Sequence, residues 1–452
     1  MKRIIDHFLM QWKENRYRKP LLLRGARQVG KTYAVRALGA TYPHFVEINL
    51  EERPDAHGLF DGNIDPHNII PALSLIAKQQ IIPGKTLLFI DEIQMVPRAI
   101  TALRYMYEKM PELHVIAAGS LVDFAIEQIG IPVGRVESLY MHPVSFVEYL
   151  AAVGRMDIVN LIMDQDVHQA VGEVIHALII RYLGEYLALG GMPDSVQRWI
   201  EEKNALMCAT AHRTLLDTYR QDFSAYARKL QVKYVELVFN EIPIQMGQKF
   251  KYSAIEGDFR KRELAPALDL LVTAGVAHKV YYSAGQGIPL GAQIDVQDYR
   301  VLFLDIGLAQ TALGLDLAGW FLYPQQEFVN KGALVEAFVG QELLAYSQPS
   351  IKSAAYYWHK ESRVQTAEVD YLIQIKGEVI PVEVKAGRGS TLRSLHYFLE
   401  GHQKSSYGIR FCAQDFSVHE NIHSYPLYAI ARIMSDANVD LKEAVSLLGD
   451  TP

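Results

Sequence analysis

Residues 25–32 read Gly-Ala-Arg-Gln-Val-Gly-Lys-Thr. Two glycines flank four residues, and a lysine and a hydroxyl residue follow: the spacing of a polyphosphate-binding loop. Gly25 and Gly30 let the chain bend so that the N–H groups of Ala26, Arg27, Gln28 and Val29 face phosphate oxygens. The helix that opens at Lys31-Thr32-Tyr33 adds its positive end. Lys31 is the residue to reach the β- and γ-phosphates, and the Thr32 hydroxyl the one to hold Mg²⁺. The cofactor this implies is ATP with Mg²⁺. A chance match in a Gly-rich turn is the alternative; a second nucleotide motif further on argues against it.

That second motif is Thr86-Leu87-Leu88-Phe89-Ile90-Asp91-Glu92. An unbroken apolar run suits a parallel strand covered on both faces, which delivers its last residues to the ligand-binding edge of an open sheet. Asp91 would hold Mg²⁺ through water, and Glu92 would orient or deprotonate the attacking water. The competing role for adjacent acids is to cap the next helix. Ser120 follows another strand pattern, Leu113–Ala118. It either senses the γ-phosphate or caps the helix behind it. Arg135 is either an arginine finger, in its own subunit or a neighbour's, or an ordinary surface residue.

A further set of charged residues lies near the C-terminus. Glu336 falls on a helical pattern. Glu368–Ile375 and Val379–Lys385 flank the turn Lys376-Gly377-Glu378, a strong hairpin signal. Folding about Gly377 sets Asp370 opposite residue 383 or 384. With pairing at 383, Asp370, Glu383 and Lys385 converge, because side chains alternate across a strand. Glu336 can join from the helix, and Val382 and Val384 turn into the core. Three carboxylates and a lysine make a site for one or two Mg²⁺ or Mn²⁺ ions and for phosphodiester hydrolysis, with Glu336, Asp370 and Glu383 as ligands. Lys385 would orient the nucleophile or stabilise charge at the phosphate. A surface hairpin with cross-strand Glu–Lys pairing is the plainer alternative.

The elements that must position these groups alternate between strand and helix over the first third of the chain, which predicts an α/β fold with a parallel sheet. The 452 residues exceed one core, and the net charge of −6 announces no polycation. Two cysteines far apart in sequence fit a reducing compartment. No run is apolar enough to span a membrane, and Asp6 and His7 interrupt any leader core, so a cytoplasmic protein is expected. The expected organisation is a P-loop core over 1–155, a helical lid over 156–230, a winged helix over 231–299 and a C-terminal α/β domain over 300–452. The winged-helix reading rests on two helical patterns followed by a strand pair. Arg260-Lys261-Arg262 opens the second helix, where it either contacts nucleic-acid phosphates or forms a solvated face.

In order along the chain, the phosphate loop, Asp91-Glu92-Ile93-Gln94, Gly119-Ser120, Gly190-Gly191-Met192-Pro193, Phe303–Leu308, Lys331–Glu336, Glu368-Val369-Asp370 and Glu383-Val384-Lys385 resemble a family of bacterial and archaeal proteins. These are AAA-type P-loop ATPases with a C-terminal restriction-endonuclease-like, PD-(D/E)xK domain. The resemblance implies an ASCE-type ATPase core, a winged helix and a nuclease-like fold whose pattern Glu336, Asp370, Glu383 and Lys385 fill. Val369 stands where a proline often precedes the aspartate. Three functions then compete: an ATPase that controls a metal-dependent nuclease acting on nucleic acid, DNA above all, in defence against foreign DNA; an ATP-driven switch with a catalytically inactive C-terminal domain; and a remodeller of protein partners. A homo-oligomer is expected in each.

Overall fold

The computed structural model describes residues 1–132, 134–226, 229–361, 366–385 and 392–449, and divides into two units. One holds residues 2–142 with 348–352; the other holds 143–347 and 353–452.

The first unit is built on five strands: β1 (Leu21–Arg24), β2 (His44–Asn49), β3 (Thr86–Asp91), β4 (His114–Ala118) and β5 (Glu137–Tyr140), in the order β2-β3-β4-β1-β5. Every pairing is parallel. All six residues of β3 and all five of β4 are buried, as expected of strands covered on both faces. Helix Arg98–Lys109 places Ala99, Ile100, Ala102, Leu103 and Met106 at helical spacing against Ile48, Leu88 and Ile90. Each fully buried Leu or Ile of this layer stabilises the fold by about 2 kcal/mol. Because all strands run one way, their carboxyl ends share one edge, and the phosphate loop, Asp91-Glu92 and Gly119-Ser120 all follow strand ends there.

The second unit opens with five helices, Phe146–Ala152, Met156–Asp164, Glu173–Leu189, Pro193–Glu202 and Ala205–Tyr226. The first starts at Phe146 because Ser145 and Glu148 form a reciprocal capping box. Helices Lys229–Ile244 and Lys261–Thr273 follow. The Gly190-Gly191-Met192-Pro193 turn and the Phe303–Leu308 run, far apart in sequence, meet. Asp305 accepts the Gly191 N–H at 2.6 Å and that of Leu308 at 3.0 Å. Burial raises the Asp305 carboxyl above its usual range.

Among the described residues eight strands follow in this unit: β6 (Ala277–Ser283), β7 (Ile294–Phe303), β8 (Ala355–Glu361), β9 (Thr366–Ile375), β10 (Glu378–Lys385), β11 (Gly408–Cys412), β12 (Ser417–His419) and β13 (Ile422–Pro426). They form one mixed sheet, β12-β13-β11-β10-β9-β8-β6-β7. The strand pair expected for a winged helix, β6–β7, thus extends the C-terminal sheet, because β6 pairs in parallel with β8. The expected boundary between 299 and 300 falls inside β7. Alternating pattern alone gave no sign of this partnership.

Candidate functional sites

The phosphate loop has the backbone its glycines allow. Gly25 has φ 147° and Gly30 φ 102°, and Gln28 also lies in the left-handed region at 62°. A Cβ on Gly25 would lie 2.3 Å from the Met141 carbonyl oxygen, so only glycine fits. Ala26 and Val29 are buried and anchor the loop, while Gln28 and Tyr33 are exposed at its rim. The Lys31 ammonium donates to the carbonyls of Gly25 and Ala26, both at 2.8 Å, and burial lowers its pKa to about 8. The Thr32 hydroxyl donates to Asp91 Oδ2 at 3.0 Å. Burial, and then the charge of Glu92, hold the Asp91 carboxyl above its usual value. Hydroxyl and carboxylate thus sit together, a donor pair that suits Mg²⁺ beside a triphosphate.

Glu92 follows β3 with a left-handed φ of 50° and makes no capping hydrogen bond to the turn Ile93–Met95. Its carboxylate instead accepts from the Gln94 amide. Gln94 can lie there because residue 119 is glycine; a Cβ at that position would overlap Gln94 Oε1. Gln94 thereby holds the Glu92 carboxylate, and its only sequence signal was its place in the Asp-Glu-Ile-Gln run. Ser120 lies beyond β4 at the same edge. The N-cap of helix Val122–Ile129 is Leu121, so capping is not the role of Ser120. Arg135 is different. β5 starts at Glu137 opposite Leu21, so Arg135 lies at the amino edge of the sheet, one strand length of about 13 Å from the loop edge. Its guanidinium pairs with Glu108 at 3.1 Å. It is not brought to the phosphate loop of its own chain, and of the finger roles expected of it, the one within its own subunit is excluded by this strand direction.

In the second unit the hairpin pairs as the residue spacing expects. Val382 lies opposite Tyr371, so the register carries Glu383 to Asp370, and Asp370 Oδ2 accepts the Val384 N–H at 2.8 Å. On the other side of β9 the register shifts: between the pairs Tyr356–Leu372 and Trp358–Val369, Asp370 and Tyr371 together oppose Tyr357 alone. A bulge of this kind re-aims side chains and is common beside functional sites. Helix Gly332–Ala345 brings in Glu336. Tyr371 Oη donates to the Glu336 carbonyl at 2.9 Å, a close approach that Gly340 permits.

Burial, and next the charge of Asp370, raise the carboxyls of both Glu336 and Glu383 well above the usual range. Lys385 pairs with Glu383 Oε1 at 2.6 Å and sits above its ordinary value because acids surround it, although burial opposes this. This pair joins residues two apart on β10, so it is not the cross-strand pairing of the plainer alternative, and Glu383 is buried rather than on a surface.

Sequence reasoning missed Arg300. This β7 residue is 4% exposed, and its guanidinium pairs with Glu336 and Glu368 and lies 3.7 Å from Asp370. It also lies 4.7 Å from the centre of the Tyr357 ring. Among the described residues no group of three His, Cys, Asp or Glu side chains is arranged to hold a metal ion. Arg300 occupies one oxygen each of Glu336 and Glu368 and lies near one of Asp370. The acids still fit a cation in kind and number. Four carboxylates face two cationic side chains, and the buried Glu383 Oε2 has no hydrogen-bond partner among the described residues. The only hint of Arg300 in sequence was the alternation of Asp298 and Arg300 where a strand turns apolar.

With this geometry in view, residues 17–150 match the family described as an AAA domain. Residues 180–318 and 331–430 match two domains of unknown function, DUF8612 and DUF4143. No curated protein matches the chain. Similar solved structures include the Walker-type ATPase PABY2304 of Pyrococcus abyssi (16% identity, 69% of this chain and 95% of that one, TM-score 0.45). They also include the Aeropyrum pernix ORC1 protein solved in complex with DNA (14% identity, 69% and 90%, TM-score 0.27). A third is the Pyrococcus horikoshii STAND protein PH0952, with a tetratricopeptide repeat sensor (12% identity, 76% and 48%, TM-score 0.28). Overlap this low assigns no function. The N-terminal part is an AAA-type P-loop ATPase domain, on the strength of the domain match together with its loop and strand order. No helix among the described residues is long and apolar enough to cross a membrane.

Proposed function

We propose that this chain is an ATPase that uses nucleotide binding and hydrolysis to control a nucleic-acid-directed, nuclease-type site in its second unit. Lys31 and Thr32 would hold the phosphates and Mg²⁺, with Asp91 on the metal through water and Glu92, oriented by Gln94, aimed at the attacking water. Ser120 would read the γ-phosphate. Arg135, at the far edge of the sheet, would act only on a neighbouring copy, which requires a homo-oligomer.

In the second unit Glu336, Asp370 and Glu383 would hold a divalent ion, which would polarise a phosphodiester and lower the pKa of water. Lys385 would neutralise charge at the phosphate. The exposed Arg260-Lys261-Arg262 triplet at the start of helix Lys261–Thr273 would contact a nucleic-acid backbone, DNA for preference. The observation that carries this reading is the convergence on one buried face of Glu336, Asp370, Glu383 and Lys385 from a helix and two strands. The grip of Arg300 on the acids favours a second reading, in which the C-terminal domain binds but does not cleave and ATP drives a switch.

The test is cleavage of plasmid and single-stranded DNA with Mg²⁺ or Mn²⁺, with and without ATP, for wild type, Lys31→Ala and Lys385→Ala. The expected result is cleavage lost in Lys385→Ala, and ATP turnover lost in Lys31→Ala. Wild-type protein that hydrolyses ATP but cleaves neither DNA would refute the nuclease and leave the switch.

A further inference from the structure

Resting on the reading of Glu336, Asp370 and Glu383 as a divalent-cation site, we propose that Arg300 is an internal surrogate cation that closes this site, so that a metal ion enters only when the guanidinium withdraws. A guanidinium and a divalent ion compete for the same carboxylate oxygens. Arg300 engages Glu336 and Glu368 and approaches Asp370, while Lys385 takes one oxygen of Glu383. The plug is imperfect in two places. Arg300 Nε and Glu383 Oε2 are both buried and without hydrogen-bond partners among the described residues. Orphaned polar atoms of this kind weigh against the closed arrangement.

The site also gathers four carboxyl groups around two cationic side chains, more oxygens than those two engage. The perch of Arg300 over the Tyr357 ring lies on β8 rather than among the acids, which gives the side chain a contact independent of them. Arg300 also stands on the last strand of the sheet, where β7 pairs with β6 and an isolated bridge joins it to Lys249. A movement of that edge would draw the guanidinium away without disturbing the β9–β10 hairpin.

The experiment is Mn²⁺ binding to the full chain, followed by electron paramagnetic resonance of free Mn²⁺ and by the melting temperature against Mn²⁺ concentration. The proteins are wild type, Arg300→Gln, Arg300→Lys, and Arg300→Gln combined with Glu383→Gln. A closed state that dominates taxes the apparent affinity by the fraction open. Arg300→Gln should therefore bind Mn²⁺ about tenfold more tightly or better, and Glu383→Gln should remove the gain. Arg300→Lys keeps the charge but loses the fork whose two nitrogens reach Glu336 and Glu368 separately, and should gain less. It is read in the same way if Arg300→Gln fails to melt cooperatively. Wild type that binds Mn²⁺ as tightly as the Arg300 variants would overturn the surrogate-cation role alone. No binding by any of the proteins would overturn the cation-site reading as well.

Discussion

Lys31 gives the most direct handle on the ATP site. In the loop its ammonium is buried and held by two carbonyls, and its pKa falls from 10.5 to about 8. The triphosphate brings negative charge to the same nitrogen and restores the charged form. Binding therefore takes up a proton whenever the free loop has lost one. Below pH 8 the free loop keeps its proton and affinity is level. Above pH 8 affinity falls about tenfold per pH unit, so ATP should bind about tenfold more weakly at pH 9 than at pH 7. At pH 8 itself about half a proton should be taken up. Titration calorimetry at pH 7, 8 and 9, in two buffers of different ionisation enthalpy, measures both quantities. Lys31→Arg moves the titration out of range and should give flat affinity. Wild-type affinity that stays level from pH 7 to 9 with no proton uptake would refute this account of a buried lysine recharged by phosphate.

Two further outcomes concern the second unit. A Cβ on Gly340 would lie 2.4 Å from Tyr371 Oη and 2.7 Å from Leu302 Cδ1, so Gly340→Ala should cost about 1–3 kcal/mol by overpacking, measured by urea unfolding. A loss within error of zero would mean that the helix carrying Glu336 can slide on the sheet. Glu342 accepts the Phe146 N–H at 3.1 Å, and burial raises its pKa to about 8. A carboxyl raised on folding stabilises the folded state below its unfolded pKa and loses that contribution as pH rises through about 8. Glu342→Gln should therefore flatten part of the fall in melting temperature between pH 5 and about 8, and an unchanged slope would place the titration on other groups.

The local chemistry was legible along the chain wherever neighbours in sequence are neighbours in space. The phosphate loop is eight consecutive residues, its backbone follows from its glycines, and the apolar run of β3 carries Asp91 and Glu92 to the sheet edge by strand direction alone. The β9–β10 hairpin was equally local, since a two-residue turn at Lys376-Gly377 sets its register. What escaped depends on contacts between distant segments. Arg300 lies 70 residues before Asp370, and no spacing rule joins them; only the parallel pairing of β6 with β8 carries β7, with its arginine, into the same sheet. The same pairing runs the C-terminal sheet through the boundary expected at 299. The bulge at Asp370-Tyr371 follows from the register of β8, which the hairpin cannot report. Sequence thus determined which groups could do chemistry and the short-range geometry that aims them. Tertiary structure decided their charge environment, because an electrostatic site is the sum of every charge the fold brings near, whatever its distance along the chain.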